Sequence, residues 1–282
     1  MSRQLRSFAL LVAVLILAGE SALAQDRGTI TGAITDPSGG AVPGATVTAK
    51  NSNTGLTQTV ATGTDGLYTF LYLPVGTYTV VTEIPGFRKA EASGVLVSVN
   101  TTVRLDMQLT VGGADQTVEV TATAPLLTTE GSNLGKVVPT KAIMDLPLFI
   151  GGGLRSTMAF VILTPGVIGD QGNPRIGGGL LDGQSEKFDG AEANSERRND
   201  PGFVGVSVEG LQEFKVQSSG YSAEFGRTSN GVINFVSKSG TNELHGSAFM
   251  FLRNEALNAR GFTFGPGTRQ IRRQINPGGS IG

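Results

Sequence analysis

The stretch that decides the fold runs from Tyr221 to Arg260 and reads YSAEFGRTSNGVINFVSKSGTNELHGSAFMFLRNEALNAR. An apolar run at 232–236 is followed at 239–242 by Ser-Gly-Thr-Asn, which are turn-forming residues. After the turn, apolar and polar residues alternate for about ten residues, the length of a tilted membrane-spanning strand. The apolar positions are Leu244, Gly246, Ala248, Met250 and Leu252, and the polar positions are His245, Ser247 and Arg253. The stretch therefore predicts a buried strand that ends near Lys238 and a membrane strand that begins at Glu243.

The N-terminus has the three-part pattern of a secretory signal peptide. Arg3 and Arg6 precede an apolar run at 8–18, and Ala-Leu-Ala at 22–24 provides a small-residue cleavage site before Gln25. A membrane-anchor helix is the alternative, but the apolar run is well short of the ~20 residues that span a bilayer. We predict that residues 1–24 are a signal peptide and that the remainder is exported.

The composition excludes several classes of function. The 282 residues include no Cys, no Trp, one His and 41 Gly. Without Cys there are no disulfides, thiol nucleophiles or Cys-ligated metals. The formal net charge of -1 gives no electrostatic case for a nucleic-acid partner, which would require a concentrated basic face.

Residues 29–109 read as short alternating strands separated by Gly- and Pro-containing turns. Turn residues occupy 36–40 (DPSGG), 64–66 (TDG) and 73–76 (LPVG). Strands at this regular spacing predict a β-sandwich of about seven strands. Asp36 and Asp65 lie at turn positions where a carboxylate accepts hydrogen bonds from backbone N–H groups, so we expect structural roles for both.

Four sequence words in this part resemble the carboxypeptidase regulatory-like domain, a small prealbumin-like β-sandwich. They are GAITD at 32–36, VPGA at 42–45, TDGLY at 64–68 and LPVGTY at 73–78, in the order of that family. The resemblance implies such a domain at 25–110 and implies no catalysis. The related carbohydrate-binding-like fold is often linked to glycan contact, but a fold alone does not establish a ligand.

The pattern loosens over residues 123–240, where a short helix is predicted at 140–144 and a charged, Gly-rich loop at 184–201. Several words here resemble the plug domain of Oar-like TonB-dependent outer-membrane receptors. They are LPL at 146–148, LTPGV at 163–167, LDG at 181–183, EFKV at 213–216, AEFGR at 223–227 and SKSGTN at 237–242. Two places depart from the family: FIGGG at 149–153 replaces a polar Asn-Gly-Arg-Asn motif, and NGV at 230–232 replaces Gly-Gly-Val. Both departures affect loop detail.

The implied fold is mainly β. It comprises a sandwich at 25–110, a linker at 111–122, an α+β plug at 123–240 and the first strands of an outer-membrane β-barrel at 241–282. Barrels need at least eight strands, so we expect the chain to be a C-terminally truncated form of such a receptor.

The resemblance implies active uptake of a bulky ligand (siderophore, glycan or peptide) across the cell outer membrane. The inner-membrane TonB energy-transducing complex would drive it, lipid would surround the barrel, and no bond would be made or broken. No cofactor, metal or catalytic residue is implied. The alternative is a secreted or cell-surface module whose β-sandwich binds carbohydrate or a partner.

One extended segment resembles the TonB box, which the periplasmic energy-transducing protein captures. It consists of Thr117, Val118, Glu119, Val120, Thr121 and Ala122. Recognition would be by strand addition, in which exposed backbone groups pair with the edge of a partner's sheet. The alternative is that the segment is simply the first strand of the plug. The Gly-rich link at 110–116 on its N-terminal side favours the box.

Three other features of the sequence are site candidates. Asp182, Glu186, Asp189, Glu192 and Glu196 form an acidic run without the ligand alternation of a calcium loop, so we expect a solvated loop with at most a weak ligand role. The glycines at 151–153 and 177–179 lack the strand-to-helix context of a phosphate loop. His245 is the sole histidine and has no nucleophile motif beside it, so we expect no catalytic role.

Overall fold

The computed structural model describes residues 27–112, 117–119, 134–145, 157–169, 174–181, 183–194, 208–221, 223, 225–226, 228–257, 271 and 273–282. The predicted signal peptide and the glycines at 151–153 lie outside these residues. The described chain is mainly β, which confirms the predicted fold class. None of its helices is both long and apolar enough to cross a lipid bilayer.

Nine strands of the described residues build the first body, a two-sheet sandwich. They are β1 (Arg27–Thr35), β2 (Thr46–Asn51), β3 (Thr57–Ala61), β4 (Leu67–Pro74), β5 (Gly76–Glu83), β6 (Lys89–Val97), β7 (Thr102–Arg104), β8 (Met107–Gln108) and β9 (Thr117–Glu119). One sheet has the order β4-β1-β7, with β8 also paired to β1. The other has the order β3-β2-β5-β6-β9.

The sandwich core is made by alternate residues of these strands. In β1 every second residue is buried, as the period of two in GTITGAIT predicts. The largest fully buried side chains of this core are Tyr78, Phe70, Ile30, Ile34, Leu73, Met107 and Leu109. Each such aliphatic or aromatic side chain stabilises the fold by roughly 1.5–3 kcal/mol relative to full exposure.

Residues 105–106 separate β7 from β8. Both pieces run parallel to β1. Between them, Asp106 Oδ1 accepts a hydrogen bond from Ala33 N at 2.8 Å, and Leu105 N donates to Thr31 O at 2.8 Å. Gly32 lies opposite the short segment between β7 and β8, where an added Cβ would be 1.8 Å from the carbonyl oxygen of Leu105. The glycine therefore permits the close approach of the two backbones.

The second body is a five-stranded sheet in the order β10-β15-β16-β13-β14. Its strands are β10 (Leu134–Pro139), β13 (Gln184–Phe188), β14 (Ala191–Glu192), β15 (Leu211–Ser219) and β16 (Gly231–Ser237). Two short helices, α1 (Thr140–Asp145) and α2 (Met158–Val161), accompany it, together with the paired strands β11 (Val167–Gly169) and β12 (Pro174–Ile176) and a 3-10 turn at Val208–Gly210. The helix predicted at 140–144 is thus confirmed as α1.

The loop predicted at 184–201 is wrong in its first part. Residues 184–188 form β13, which runs parallel to β16 from Gln184↔Gly231 to Phe188↔Phe235. The segment QSEKF has no apolar alternation of its own, so its sequence does not indicate a strand. Its partner β16 is buried along almost its whole length and provides the pairing surface that the local sequence does not reveal.

A separate hairpin consists of β17 (Gly246–Arg253) and β18 (Gln274–Ile281), with a 3-10 turn at Glu255–Leu257. The two strands are antiparallel, with register from Gly246↔Ile281 to Arg253↔Gln274. One face is apolar throughout: Gly246, Ala248, Met250, Leu252, Ile275, Pro277, Gly279 and Ile281. Met250 and Leu252 are 69% and 59% exposed, so the alternation predicted from residue 244 onward is present as an uncovered apolar face.

Candidate functional site

Strand β9 contains the first half of the predicted partner-binding segment. It pairs in parallel with the start of β6, in the register Lys89↔Thr117, Ala90↔Val118 and Glu91↔Glu119. It is the terminal strand of its five-stranded sheet. Val120, Thr121 and Ala122, the remainder of the predicted segment, lie outside the described residues. The described half therefore already takes part in strand addition, with the sandwich providing the sheet edge.

The chain leading into β9 is fastened to the same sheet edge. Arg88 N donates to Thr110 O at 2.8 Å, and Gly112 N donates to Gly86 O at 3.2 Å. Phe87 and Val111 form an antiparallel bridge between these two contacts. The first residues of the predicted linker are consequently held against the sandwich, a few residues before β9 begins.

Where β6 pairs with β9, one face of β6 carries charged residues and the other face is apolar. Ala90 is buried in the sandwich core, whereas Lys89 and Glu91 are half-buried. Lys89 Nζ lies 2.8 Å from Glu83 Oε1, and this hydrogen bond raises the pKa of the lysine.

The alternative prediction for residues 117–122 is that they form the first strand of the second body. The sheet of the second body ends at β10 on one side and β14 on the other, and β9 is not among its strands. Residues 117–119 therefore belong to the sandwich sheet.

A second arrangement of polar groups lies where the sandwich meets β15. Glu213 Oε1 accepts a hydrogen bond from Val99 N at 2.5 Å, and Lys215 Nζ donates to Asn100 O at 2.6 Å. Both charged residues are buried, with exposures of 5% and 6%. Asn100 has a φ of 49°, a left-handed conformation that Asn tolerates better than most residues. The turn after β6 is thus docked on two charged side chains of the second sheet.

Burial shifts the ionisation of both charged groups. It raises the pKa of the Glu213 carboxyl, and the hydrogen bond from Val99 N opposes that shift. It lowers the pKa of Lys215 to about 8, against the attraction of Glu213. Because desolvation is the larger influence on each residue, the contact carries a charge-burial penalty that its hydrogen bonds offset.

The alternation of β15 explains how these charges become buried. Phe214 and Val216 face the core of the second body. Since successive side chains of a strand point to opposite faces, Glu213 and Lys215 point away from that core, toward the sandwich. A second contact joins the two parts of the chain: Asn242 Nδ2 donates to Thr54 O at 3.0 Å.

The acidic run does not form a metal site among the described residues. Asp189 accepts hydrogen bonds from Ser237 N and Oγ at 2.8 and 2.7 Å, and Glu192 accepts one from Ser185 Oγ at 3.1 Å. Glu186 is buried, at 3% exposure, so the expectation of a wholly solvated run is wrong for this residue. Asp182 and Glu196 lie outside the described residues, and the described part of the chain contains no cluster of three metal-ligating side chains.

The remaining sequence candidates have structural contacts. Asp36 Oδ1 accepts hydrogen bonds from Ser38 N and Gly40 N, both at 2.8 Å, and Asp65 Oδ1 accepts one from Leu67 N at 3.1 Å. The side-chain hydrogen bond from Ser38 is the main reason that the pKa of Asp36 is lowered. His245 Nδ1 lies 2.9 Å from Glu243 O at the entry to the hairpin.

Sequence reasoning identified β9 but missed both the β6 edge and the pair Glu213 and Lys215. The pair does leave a signal: in EFKV, charged and apolar residues alternate within a strand that is buried on both faces. The partner turn at 99–100 is more than a hundred residues away in sequence, and no local pattern indicates it.

Comparisons with known families and proteins cover both ends of the chain. Residues 29–110 match the carboxypeptidase regulatory-like domain family, and residues 236–282 match the outer membrane beta barrel domain family. The whole chain is 32% identical to the TonB-dependent transporter Oar of Myxococcus xanthus. It spans 26% of that relative's length.

Solved structures with similar parts include two proteins of different kinds. Catechol 1,2-dioxygenase from Acinetobacter sp. ADP1 is 13% identical, with a TM-score of 0.28 over 36% of this chain and 60% of that one. The pilus 2b backbone protein of group B streptococcus is 20% identical, with a TM-score of 0.25 over 32% of this chain and 42% of that one. At these scores neither similarity supports a functional assignment.

Proposed function

Because the chain belongs to the Oar-like TonB-dependent receptors, which are proteins of the cell outer membrane, we propose that it contributes the periplasmic and lumenal parts of a transporter for active ligand uptake. The sandwich would lie in the periplasm, and the second body would be the plug that occludes a barrel. The hairpin β17–β18 would be the first part of that barrel. No bond chemistry is proposed, since the matched relative is a transporter.

The observation that carries this proposal is the apolar face of the hairpin. Met250, Leu252, Ile275 and Ile281 are 69%, 59%, 62% and 84% exposed on one side of two paired strands. On the other side lie Phe249 and Phe251, with ring centroids 5.3 Å apart, and a contact of 2.8 Å between the hydroxyls of Ser247 and Ser280. Outer-membrane strands have this arrangement, with apolar residues toward lipid and a more polar face toward the lumen.

The energy-transducing partner would be the inner-membrane TonB complex, which would capture residues 117–122. Strand addition depends on backbone donors and acceptors, so a short β-branched segment after a Gly-rich link suits it. The transported ligand would be a bulky siderophore, glycan or peptide, and the plug would shift when the partner pulls. The alternative of a secreted carbohydrate-binding module gains no support from a specific feature of the described residues.

Binding of the full chain to the purified periplasmic domain of a TonB protein tests the partner. Val118→Pro removes a backbone donor from the segment, so we expect binding at least tenfold weaker than that of the unchanged chain. Thr117→Ala is the matched control, because it retains every backbone group and should leave the affinity within about twofold. Equal binding by Val118→Pro would remove residues 117–122 as the partner site.

A further inference from the structure

We propose that the sandwich acts as a platform that presents β9, in an ordered extended form, to the sheet of its periplasmic partner. This inference rests on the proposed function for the partner's identity, and it adds how the segment is displayed. A strand that must be captured from a mobile linker loses conformational freedom on binding. A strand already fixed on a sheet has lost that freedom beforehand, and preorganisation of this kind favours binding.

The attachment of β9 is the first support for this proposal. The three register pairs from Lys89↔Thr117 to Glu91↔Glu119 fix the direction and the register of the strand. The lead-in is fixed separately, through the hydrogen bonds that join Arg88 to Thr110 and Gly112 to Gly86. The segment is thereby held on the sandwich at two successive places.

The open side of the sheet is the second support. In the order β3-β2-β5-β6-β9, β9 has β6 on one side, and no further strand of the described chain pairs with its other side. Each strand carries hydrogen-bonding groups along both edges, and an unpaired edge is a template for another chain. A partner with an exposed strand could therefore add beyond β9 and extend the five-stranded sheet by one strand without displacing β9 from β6.

The stiffness of the platform is the third support. Ala90, which lies opposite Val118, is buried in the sandwich core, at 3% exposure. Strand β6 also pairs with β5 over most of its length, from Gly76↔Val97 to Thr82↔Ala90. The edge that receives β9 is consequently part of a packed core, so β9 is displayed on a rigid element.

An engineered disulfide tests the proposal, and the natural chain contains no cysteine that would interfere. Glu91→Cys with Glu119→Cys joins two residues in register, and neighbouring strands lie about 4.8 Å apart, within disulfide range. Lys89→Cys with Glu119→Cys is the control, because it is out of register by two residues and adds roughly 6.6 Å along the strand. We expect the first pair to oxidise readily and the second not to; failure of the first pair to oxidise would overturn the pairing.

The binding measurement then uses the oxidised and reduced forms of the in-register double variant, with the periplasmic domain of a TonB protein as the probe. If the sandwich presents β9 to the partner, the oxidised form should bind as tightly as the reduced form or up to about tenfold more tightly. If oxidation weakens binding tenfold or more and reduction restores it, β6 hides the segment instead, and the proposal is overturned. If the unchanged chain and both forms all fail to bind, the partner assignment itself fails and the proposal falls with it.

Discussion

The backbone N–H of Val99 donates to the Oε1 atom of Glu213 at 2.5 Å, and this hydrogen bond joins the turn after β6 to the central part of β15. Val99 is fully buried and Glu213 is 5% exposed, so neither group can turn to solvent for a substitute partner. Because β6 is also the strand that holds β9, the contact connects the sandwich edge to the second body. Strand β6 therefore holds β9 and leads directly into the turn that docks on the second body.

Removal of the Glu213 carboxylate should loosen this docking. In Glu213→Ala the amide of Val99 loses its acceptor while it remains buried, which costs about 1–3 kcal/mol. We expect faster hydrogen exchange at the Val99 amide and a lower free energy of unfolding. Glu213→Gln retains an acceptor oxygen and should lose much less, and Glu243→Gln, on an exposed residue, serves as the surface control. Unchanged protection of Val99 in Glu213→Ala would contradict the contact.

Lys215 should make stability depend on alkaline pH. Its pKa is about 8 in the folded chain, below the ordinary 10.5, because burial disfavours the charged form. Between these two values the unfolded chain binds more protons than the folded one, so stability should rise as pH increases from 8 toward 10.5. This gain in stability is complete above pH 10.5, and it is lost as the pH falls through about 8. The neutral amine can still donate to Asn100 O.

Unfolding free energies of the unchanged chain and of Lys215→Met, measured across this range, check the sign. The unchanged chain should gain stability relative to the variant as pH rises. Lys89→Met is the control, because Lys89 pairs with Glu83 at the surface and its pKa is raised. A difference between the unchanged chain and Lys215→Met that stays flat from pH 8 to 10.5 would exclude the lowered pKa.

The sandwich could be predicted from sequence because its signals are local. The alternation of GTITGAIT gives the burial pattern of β1, and Asp36 has the turn contacts that its position indicates. The hairpin strand was predicted for the same reason, although it begins at Gly246 and not at Glu243. Each of these features depends on residues within about ten positions of one another, where the periods of strands and turns apply.

The docking contacts could not be predicted because they depend on distant partners. Val99 and Glu213 are 114 positions apart, and the backbone N–H of Val99 donates a hydrogen bond to the buried carboxylate. Strand β13 could not be predicted for a similar reason, because it forms through pairing with the distant strand β16. For β9, the sequence indicated an extended segment that adds to a sheet edge, but it gave no sign that the edge of β6 receives residues 117–119.

Gly32 should be intolerant of any side chain. A Cβ there would lie 1.8 Å from the carbonyl oxygen of Leu105, so β1 would have to move away from the segment between β7 and β8. We expect Gly32→Ala to destabilise the sandwich by about 1–3 kcal/mol, as overpacking does. Thermal unfolding followed by circular dichroism measures this loss. Gly210→Ala is the control, since a Cβ there meets nothing within 4 Å; equal losses in both variants would remove the steric explanation.

The apolar face of the hairpin should bind lipid. Leu252 is 59% exposed and pairs with Ile275, so it lies within the apolar face. Leu252→Arg would place a charge within this apolar face, which should weaken its contact with lipid. We therefore expect the unchanged chain to float with phospholipid vesicles in a density gradient and Leu252→Arg to float at least tenfold less. Asn276→Arg is the matched control, because Asn276 pairs with Phe251 on the opposite face and its substitution should leave flotation nearly unchanged. Equal losses in the two variants would mean that the hairpin does not present one face to lipid.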